Sequence, residues 1–566
     1  MSSNKIREII SVYASCPAAC PSRDGGNMNG KKIARTQSFK DFRRFNYIYI
    51  DKTEQIYRLI ENRWVFISRP RRFGKSLMLD TIGTLFEEGV EPYFRNTWIY
   101  DKWTDTRYPV LRLNFLDYTA KYNEFCKLFC RDITGFARKL GVADEIAADD
   151  GPAEALFDLM KALVERGVMI VVLIDEYDTQ LTASMDNPEL YEQFRGTLRD
   201  LYGILKGKQC IRFLCVTGVT RLKDVSIFSV GSDIADLSYY SPVSTITGFV
   251  REEIRNYYAD YLNLAASLIK NIPVSQVEEC QREEVLDRLA GEYDGYCFDR
   301  FYKKKVFSTW SVNSFFREAI ENHSVIFGDY WYDNGGMPTI LAKYLETHSI
   351  APEKYSENID VSMADFWNPS SLLSMRQEVL MCQTGYLTVR SVIPNGNSVR
   401  LGVPNREVRR SLEKAMSQAI FHNAEFAGDK NEELFSKASA EEIVGRLNSL
   451  MNTISYEDYQ KINEKTVQGM LHAFMIGSGQ PVRTEVQSAS GRSDIVLDYP
   501  ERRLVLELKY AETEKECGER LTEAVSQIKE RRYGDLLPVK REVLQIALVF
   551  NGKPGVRQFT HYKAVG

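Results

Sequence analysis

Residues 68–79 read SRPRRFGKSLML, and they follow the apolar run Trp64–Ile67 without a break. An apolar run, a glycine- and lysine-bearing loop and a return to apolar residues predict strand, loop and helix. Gly74, Lys75 and Ser76 match the GK[S/T] end of a phosphate-binding loop. In such a loop, backbone N–H groups and a helix N-terminus cradle phosphates, the lysine reaches the outer oxygens and the hydroxyl ligates Mg2+. Arg72, Phe73, Gly74, Lys75 and Ser76 are therefore expected to contact ATP, with Mg2+ on Ser76. The first glycine of the usual pattern is replaced by Arg69. That turn has to be made by a residue with a Cβ.

Downstream, VMIVVLIDEYD spans 168–178. Its apolar run predicts a strand buried on both faces, ending in Asp175 and Glu176. Asp175 is expected to hold Mg2+ and Glu176 to polarise the attacking water. The plainer reading, an acid capping a core strand, loses weight beside the upstream loop. A third run, IRFLCVTGVTRL at 211–222, ends in Thr217, Gly218, Thr220 and Arg221. Thr217 and Arg221 stand where a γ-phosphate is sensed, and Arg221 reads equally well as a surface ion-pair partner.

From these three runs the pattern extends outward. Strand-like segments at Trp64–Ser68, Val110–Phe115, Met169–Asp175 and Ile211–Thr217 alternate with longer helical stretches, which predicts an α/β domain with a mostly parallel sheet over 36–250. Residues 1–35 read as an N-terminal extension. From 251 to 455 helical periodicity dominates, with one strand-like interruption at Gly385–Val392 and Val399–Val403, turned by Pro394–Asn397. A second α/β domain is expected over 456–566, where strands at 482–487, 493–498 and 503–509 follow a helical stretch.

The chain has 566 residues, too many for one ordinary core, with 44% hydrophobic and 27% charged residues, as in a folded globular protein. Its net charge of -4 excludes a basic tail, so any nucleic-acid contact must come from a local patch. The ten cysteines are scattered, and the close pairs Cys16/Cys20 and Cys126/Cys130 lack zinc-ribbon spacing, so reduced, mostly buried thiols and a cytoplasmic location are expected. The apolar stretch Ile9 to Cys20 follows Glu8 and is broken by Pro17, and it reads as a leading helix or start-site extension. No stretch reaches the length of a membrane span.

The segment SGRSDIVLDYPERRLVLELKY, 490–510, carries the second chemistry. Read as a hairpin, it puts Asp494, Val496 and Asp498 on one face of the first strand. Val505, Glu507 and Lys509 share one face of the second, opposite Leu504, Leu506 and Leu508. Two carboxylates and an amine then meet at one end of a twisted hairpin. That arrangement suits phosphodiester hydrolysis, with Asp494 and Glu507 holding one or two Mg2+ ions and Lys509 orienting the water or stabilising developing charge. Acid-x-Lys on a solvated strand is the plainer reading, and it leaves GRSD unexplained. Glu464, on the preceding helix, and Glu485, on the preceding strand, are candidate further metal ligands. Gln527, Lys529, Arg531, Arg532 and Tyr533 fall on one helix that can meet a phosphate backbone.

In order along the chain, FNYIYIDKT (45–53), RPRRFGKSL (69–77), LIDEYD (173–178), TGVTRLKDVSIFS (217–229), YDGYCF (293–298), QTGYLTV (383–389), PNREVR (404–409) and GRSDIVL with LVLELK (491–509) resemble bacterial proteins that join an AAA-ATPase-like N-terminal domain to a C-terminal PD-(D/E)XK nuclease domain. The resemblance implies a P-loop NTPase sheet in front, a helical lid region in the middle and a restriction-endonuclease-like α/β domain at the back. It also makes Arg69 a family trait. ATP and Mg2+ are the implied cofactors, and DNA is the implied partner, with a homo-oligomer a further possibility. Two functions of different class fit: an ATP-gated, Mg2+-dependent nuclease acting on foreign or mobile DNA, or a nucleotide-switched module whose nuclease fold binds nucleic acid or protein without cutting. The second is favoured by the absence of a strongly basic composition.

Overall fold

The computed structural model describes residues 31–147, 151–222, 234–333, 359–367, 369, 371, 372, 374–393, 397–412, 428–452, 462–478, 480–488, 491–499, 501–531 and 542–565. Its first sheet is built from β1 (Trp64–Ser68), β2 (Val110–Asn114), β3 (Ile170–Asp175), β4 (Ile211–Gly218) and β5 (Ala235–Asp236). All pair in parallel, in the order β2-β3-β4-β1-β5. The four longer strands fall where the apolar runs predict them. β5, only two residues long, has no such run to mark it.

Strand alternation divides the buried residues between two faces. Val65 and Ile67 of β1 and Val171 and Leu173 of β3 pack on helix α1 (Lys75–Glu88), among Met78, Leu79, Ile82 and Phe86. Trp64, Phe66, Val172 and Ile174 face the other way, onto α2 (Tyr122–Lys139), α3 (Pro152–Glu165) and α4 (Pro188–Leu205). A sheet covered on both faces accounts for near-continuous apolar strands.

The middle of the chain shares this core. Helices α5 (Ala259–Lys270), α6 (Glu279–Tyr293) and α7 (Thr309–Asn322) pack together with Ile48 and Ile50. β6 (Tyr296–Cys297) pairs with β7 (Lys305–Val306). β8 (Ile359–Ser362), β10 (Ser398–Gly402) and β9 (Thr388–Val392) form an antiparallel sheet in that order, preceded at β9 by α8 (Gln377–Thr384). Tyr296, Phe298, Val361, Leu380, Tyr386, Leu401 and Val408 lie in the same hydrophobic cluster as the first sheet's Phe66 and Val172. The β9–β10 hairpin matches the strand-like interruption read from sequence; its expected turn at 394–396 lies outside the described residues. β8 is an edge strand of four residues, whose exposed Asp360 pairs with Arg400, too short for alternation to reveal.

Gly295 shows how tightly this region closes. It adopts φ +104°, and a Cβ there would stand 2.3 Å from the Pro404 carbonyl oxygen. Asn405 Nδ2 donates to Asp294 O (2.8 Å) beside it. Gly295→Ala is expected to destabilise the protein by about 2–4 kcal/mol, through left-handed strain and a backbone clash, as read from denaturant unfolding.

The last sheet runs β11 (Val482–Ser488), β12 (Gly491–Asp498), β13 (Arg502–Ala511), β14 (Glu542–Asn551), β15 (Gln558–Val565). β11, β12 and β13 are antiparallel neighbours, β13 and β14 are parallel, and β15 returns antiparallel. Ile495, Leu497, Leu504, Leu506 and Leu508 pack on α9 (Gly428–Lys437), α10 (Ala440–Met451) and α11 (Glu464–Gly477). Val496, Val505 and Ala547 face α12 (Cys517–Arg531) through Ala524 and Ile528. α9 and α10, grouped by helical periodicity with the middle region, share this C-terminal core. The described cysteines are free thiols, most of them buried. Among the described residues, no helix is long and apolar enough to cross a membrane.

Candidate functional site

The C-terminal ends of β1, β3 and β4 meet because β4 lies between the other two. The loop leaving β1 turns through two left-handed residues, Arg72 (φ +69°) and Gly74 (φ +89°), and Gly74 caps α1. Glycine reaches that conformation without the Cβ penalty. Lys75 is 4% exposed; its Nζ donates to Arg69 O (3.2 Å) and Pro70 O (3.3 Å) and lies 3.1 Å from Glu176 Oε1. Ser76 Oγ donates to Asp175 Oδ2 (2.6 Å), while Thr217 Oγ1 donates to Asp175 Oδ1. Lys75, Ser76, Asp175, Glu176 and Thr217 are thus brought together from three strand ends.

Glu176 holds a left-handed backbone, φ +52°, a strained conformation for a residue with a side chain. Burial raises its carboxyl pKa, and the Lys75 ammonium opposes the rise. Such a group is poised to accept a proton. Asp178 does structural work beside it, accepting from Val219 N (3.3 Å), Thr220 N (2.7 Å) and Thr220 Oγ1.

Two of the expected ligand contacts take another form. Phe73 is buried at the edge of the core, its ring packed edge-on against Tyr296 and Phe298, so it anchors the loop. Arg221 is a buried ion-pair partner. Its Nε donates to Asp236 Oδ2 (2.7 Å), its Nη2 pairs with the same carboxylate, and its guanidinium lies over the Trp367 ring. The two-residue β5 supplies that acid, which made the pairing hard to foresee. Arg221→Lys is accordingly expected to lower the melting temperature and leave nucleotide affinity within about twofold; calorimetric titration and thermal unfolding check this.

A cleft of about 850 Å³ opens beside Lys75, Ser76, Asp175 and Glu176. Arg35, Trp310, Asn313 and Arg317 form its far wall. The last three lie on α7, far along the chain, and only helical periodicity marks them in the sequence. Arg35 was assigned to the N-terminal extension, yet it lines this cleft. Arg72 stacks on Trp310 at 4.5 Å, and Thr309 Oγ1 donates to Arg72 O (2.7 Å).

Glu407, of the PNREVR segment, is buried behind this wall. It accepts from Trp331 N (2.8 Å) and Ser311 Oγ (2.7 Å), and burial pushes its carboxyl up to about 8 from 4.5. Between those values the folded protein keeps a proton that the unfolded chain releases. Stability therefore falls as pH rises through that window. Glu407→Gln is expected to flatten the slope, seen as a smaller difference in melting temperature between about pH 5 and pH 8.

The second cluster lies where β12 parts from β13. The ladder pairs Ile495–Asp498 with Arg503–Leu506. Beyond it, Asp494 Oδ2 accepts from Leu508 N (2.8 Å) and Glu464 Oε2 from Tyr510 N (3.3 Å). The carboxylates therefore satisfy backbone donors that the diverging strand leaves behind. Lys509 Nζ stands 3.7 Å from Glu464 Oε1 and 3.8 Å from Glu507 Oε1, with Glu507 and Lys509 both buried. Gln468 Nε2 approaches Asp494 Oδ1 at 3.4 Å, a contact that sequence spacing had not singled out.

The expected metal ligands only partly assemble here. Among the described residues no group of three or more acidic, histidine or cysteine side chains is close enough to hold a metal. The Glu485 side chain lies outside the described residues, as do Arg532, Tyr533 and the Arg531 side chain. The donor chemistry still suits a hard cation. Mg2+ keeps several waters and takes one or two carboxylates plus phosphate oxygens, so it needs no closed protein cage.

Residues 34–228 match a family model described as predicted AAA-ATPase, and residues 462–560 match one described as the PD-(D/E)XK nuclease superfamily. The chain is 26% identical over 520 residues to an uncharacterized protein in the vnfD 5′ region of Azotobacter chroococcum mcd 1, an alignment covering 88% of this chain and 92% of the other. The crystal structure of Cdc6p from Pyrobaculum aerophilum aligns with 64% of this chain and 92% of its own, at 14% identity and a TM-score of 0.21.

Proposed function

We propose, for a chain that carries an AAA-ATPase-like domain at its front and a PD-(D/E)XK nuclease-superfamily domain at its back, that ATP gates a Mg2+-dependent cleavage of DNA. The observation that carries the front half is the joining of Lys75 to Glu176 at 3.1 Å and of Ser76 to Asp175 at 2.6 Å, on the wall of a cleft large enough for a nucleotide. Lys75 and the backbone after Gly74 bind the phosphates. Ser76 and Asp175 would hold Mg2+, and Glu176 takes the proton of the attacking water.

At the back, Asp494 and Glu507 would hold Mg2+ together with waters and phosphate oxygens, and the ion when bound would supply Lewis-acid activation of water. Lys509 orients that water and stabilises charge developing on the scissile phosphate. A role in removing foreign or mobile DNA from the cytoplasm, with the chain acting as a homo-oligomer, accords with this pairing of activities. The test is ATP-supplemented plasmid cleavage with Mg2+. Mg2+-dependent product formed by wild type and lost on Lys509→Ala supports the nuclease. Equal product from both overturns the assignment of Lys509, and no Mg2+-dependent product from wild type leaves a nucleotide-switched module that binds without cutting.

A further inference from the structure

Behind the phosphate-binding loop lies a second, much smaller cavity, of about 10 Å³, lined by Arg69, Arg221, Tyr239, Phe298, Phe366 and Cys382 among others. Its size admits one water-sized occupant. Arg69 is 1% exposed there. Its Nη1 donates to Ser68 O (2.8 Å) and Ser238 O (2.6 Å), and its Nε to Thr247 Oγ1 (3.1 Å). Nη2 is buried with no hydrogen-bond partner among the described residues. Every acceptor Arg69 uses is neutral.

A buried guanidinium requires a counter-charge, and among the described residues the surroundings supply none to spare. Asp236, which acts on Arg69 electrostatically, is already the ion-pair partner of Arg221. Burial pushes the Cys382 thiol up to about 12 and raises the Tyr239 phenol well above its ordinary range, so both stay neutral. Among the described residues, two guanidinium groups and one carboxylate leave the cavity with a surplus positive charge, flanked by Phe298 and Phe366. Phosphate, sulfate and carboxylates far exceed such a space; a halide, a single atom somewhat larger than water, is the anion nearest to it in size.

We propose that this cavity is a halide site, in which one chloride-sized anion is held by Arg69 Nη2 beside the guanidinium of Arg221. The ion sits directly behind the phosphate-binding loop. Arg69 O accepts from Lys75 Nζ (3.2 Å), and Arg69 N donates to Gly218 O (3.0 Å). Occupancy fixes the residue that shapes the lysine's surroundings. Chloride is therefore expected to raise nucleotide affinity, a consequence that rests on the nucleotide-binding reading, whereas the site itself does not.

Crystals of the full chain grown in bromide in place of chloride test the site directly. An anomalous peak within contact distance of Arg69 Nη2 supports it, and water-like density with no anomalous signal overturns it. In solution, replacing gluconate by chloride at constant ionic strength is expected to raise the melting temperature by about 2 °C. That gain should vanish in Arg69→Gln; equal melting temperatures of wild type in the two salts overturn the proposal even if the variant fails to fold. A bromide peak with unchanged ATP affinity supports the halide site and counts against nucleotide linkage alone.

Discussion

Asp494→Asn is expected to reduce Mg2+-dependent plasmid cleavage by at least about 10³-fold while leaving the melting temperature near that of wild type. The asparagine carbonyl can still accept from Leu508 N, now 2.8 Å from Asp494 Oδ2, so the fork between β12 and β13 keeps its hydrogen bond. What is lost is the negative charge that a hard cation needs. Asp494→Ala removes both. It should be equally inactive and also less stable by about 1–3 kcal/mol, because Leu508 N is left buried and unpaired. The pair of variants separates chemistry from scaffolding. If the asparagine variant cuts plasmid as fast as wild type, Asp494 is a strand-end cap and the metal-site assignment falls.

The difference between what was readable in the sequence and what was not follows from the range of the interactions. β1, β3 and β4 are short apolar runs ended by polar residues, so local pattern locates them to within a residue or two. Glu507 and Lys509 share a face because strand periodicity leaves no alternative. Docking of the middle region onto the phosphate-binding loop was not legible. It depends on Phe73 meeting Tyr296 and Phe298, and on Gly385, where a Cβ would stand 2.9 Å from Pro70 Cβ. These are contacts between segments hundreds of residues apart. Arg221 stayed open for the same reason: a cation after a strand reads as sensor or surface ion pair until its buried partner, Asp236, is seen. Glu464 was placed on the correct helix, yet its hydrogen bond to Tyr510 N depends on where β12 leaves the sheet.

Glu176→Gln is expected to retain ATP binding and lose ATP hydrolysis by about 10²–10⁴-fold, whereas Lys75→Ala should lose ATP binding itself. Burial raises the Glu176 carboxyl pKa beside Lys75, and glutamine keeps its size and its contact with Lys75 while removing the proton acceptor. Lys75 supplies a buried positive charge on the cleft wall at the end of the loop, and alanine leaves the phosphates without it. The two variants then decide how the back of the molecule is controlled. If occupancy gates cleavage, Glu176→Gln with ATP cuts DNA at least as well as wild type, because the bound state persists. If turnover gates it, cleavage stops along with hydrolysis. Lys75→Ala should be inactive in either case, since it can neither hold nor spend the nucleotide. Wild-type cleavage by Lys75→Ala would dissolve the link between the two domains and leave an ungated nuclease beside an independent ATPase.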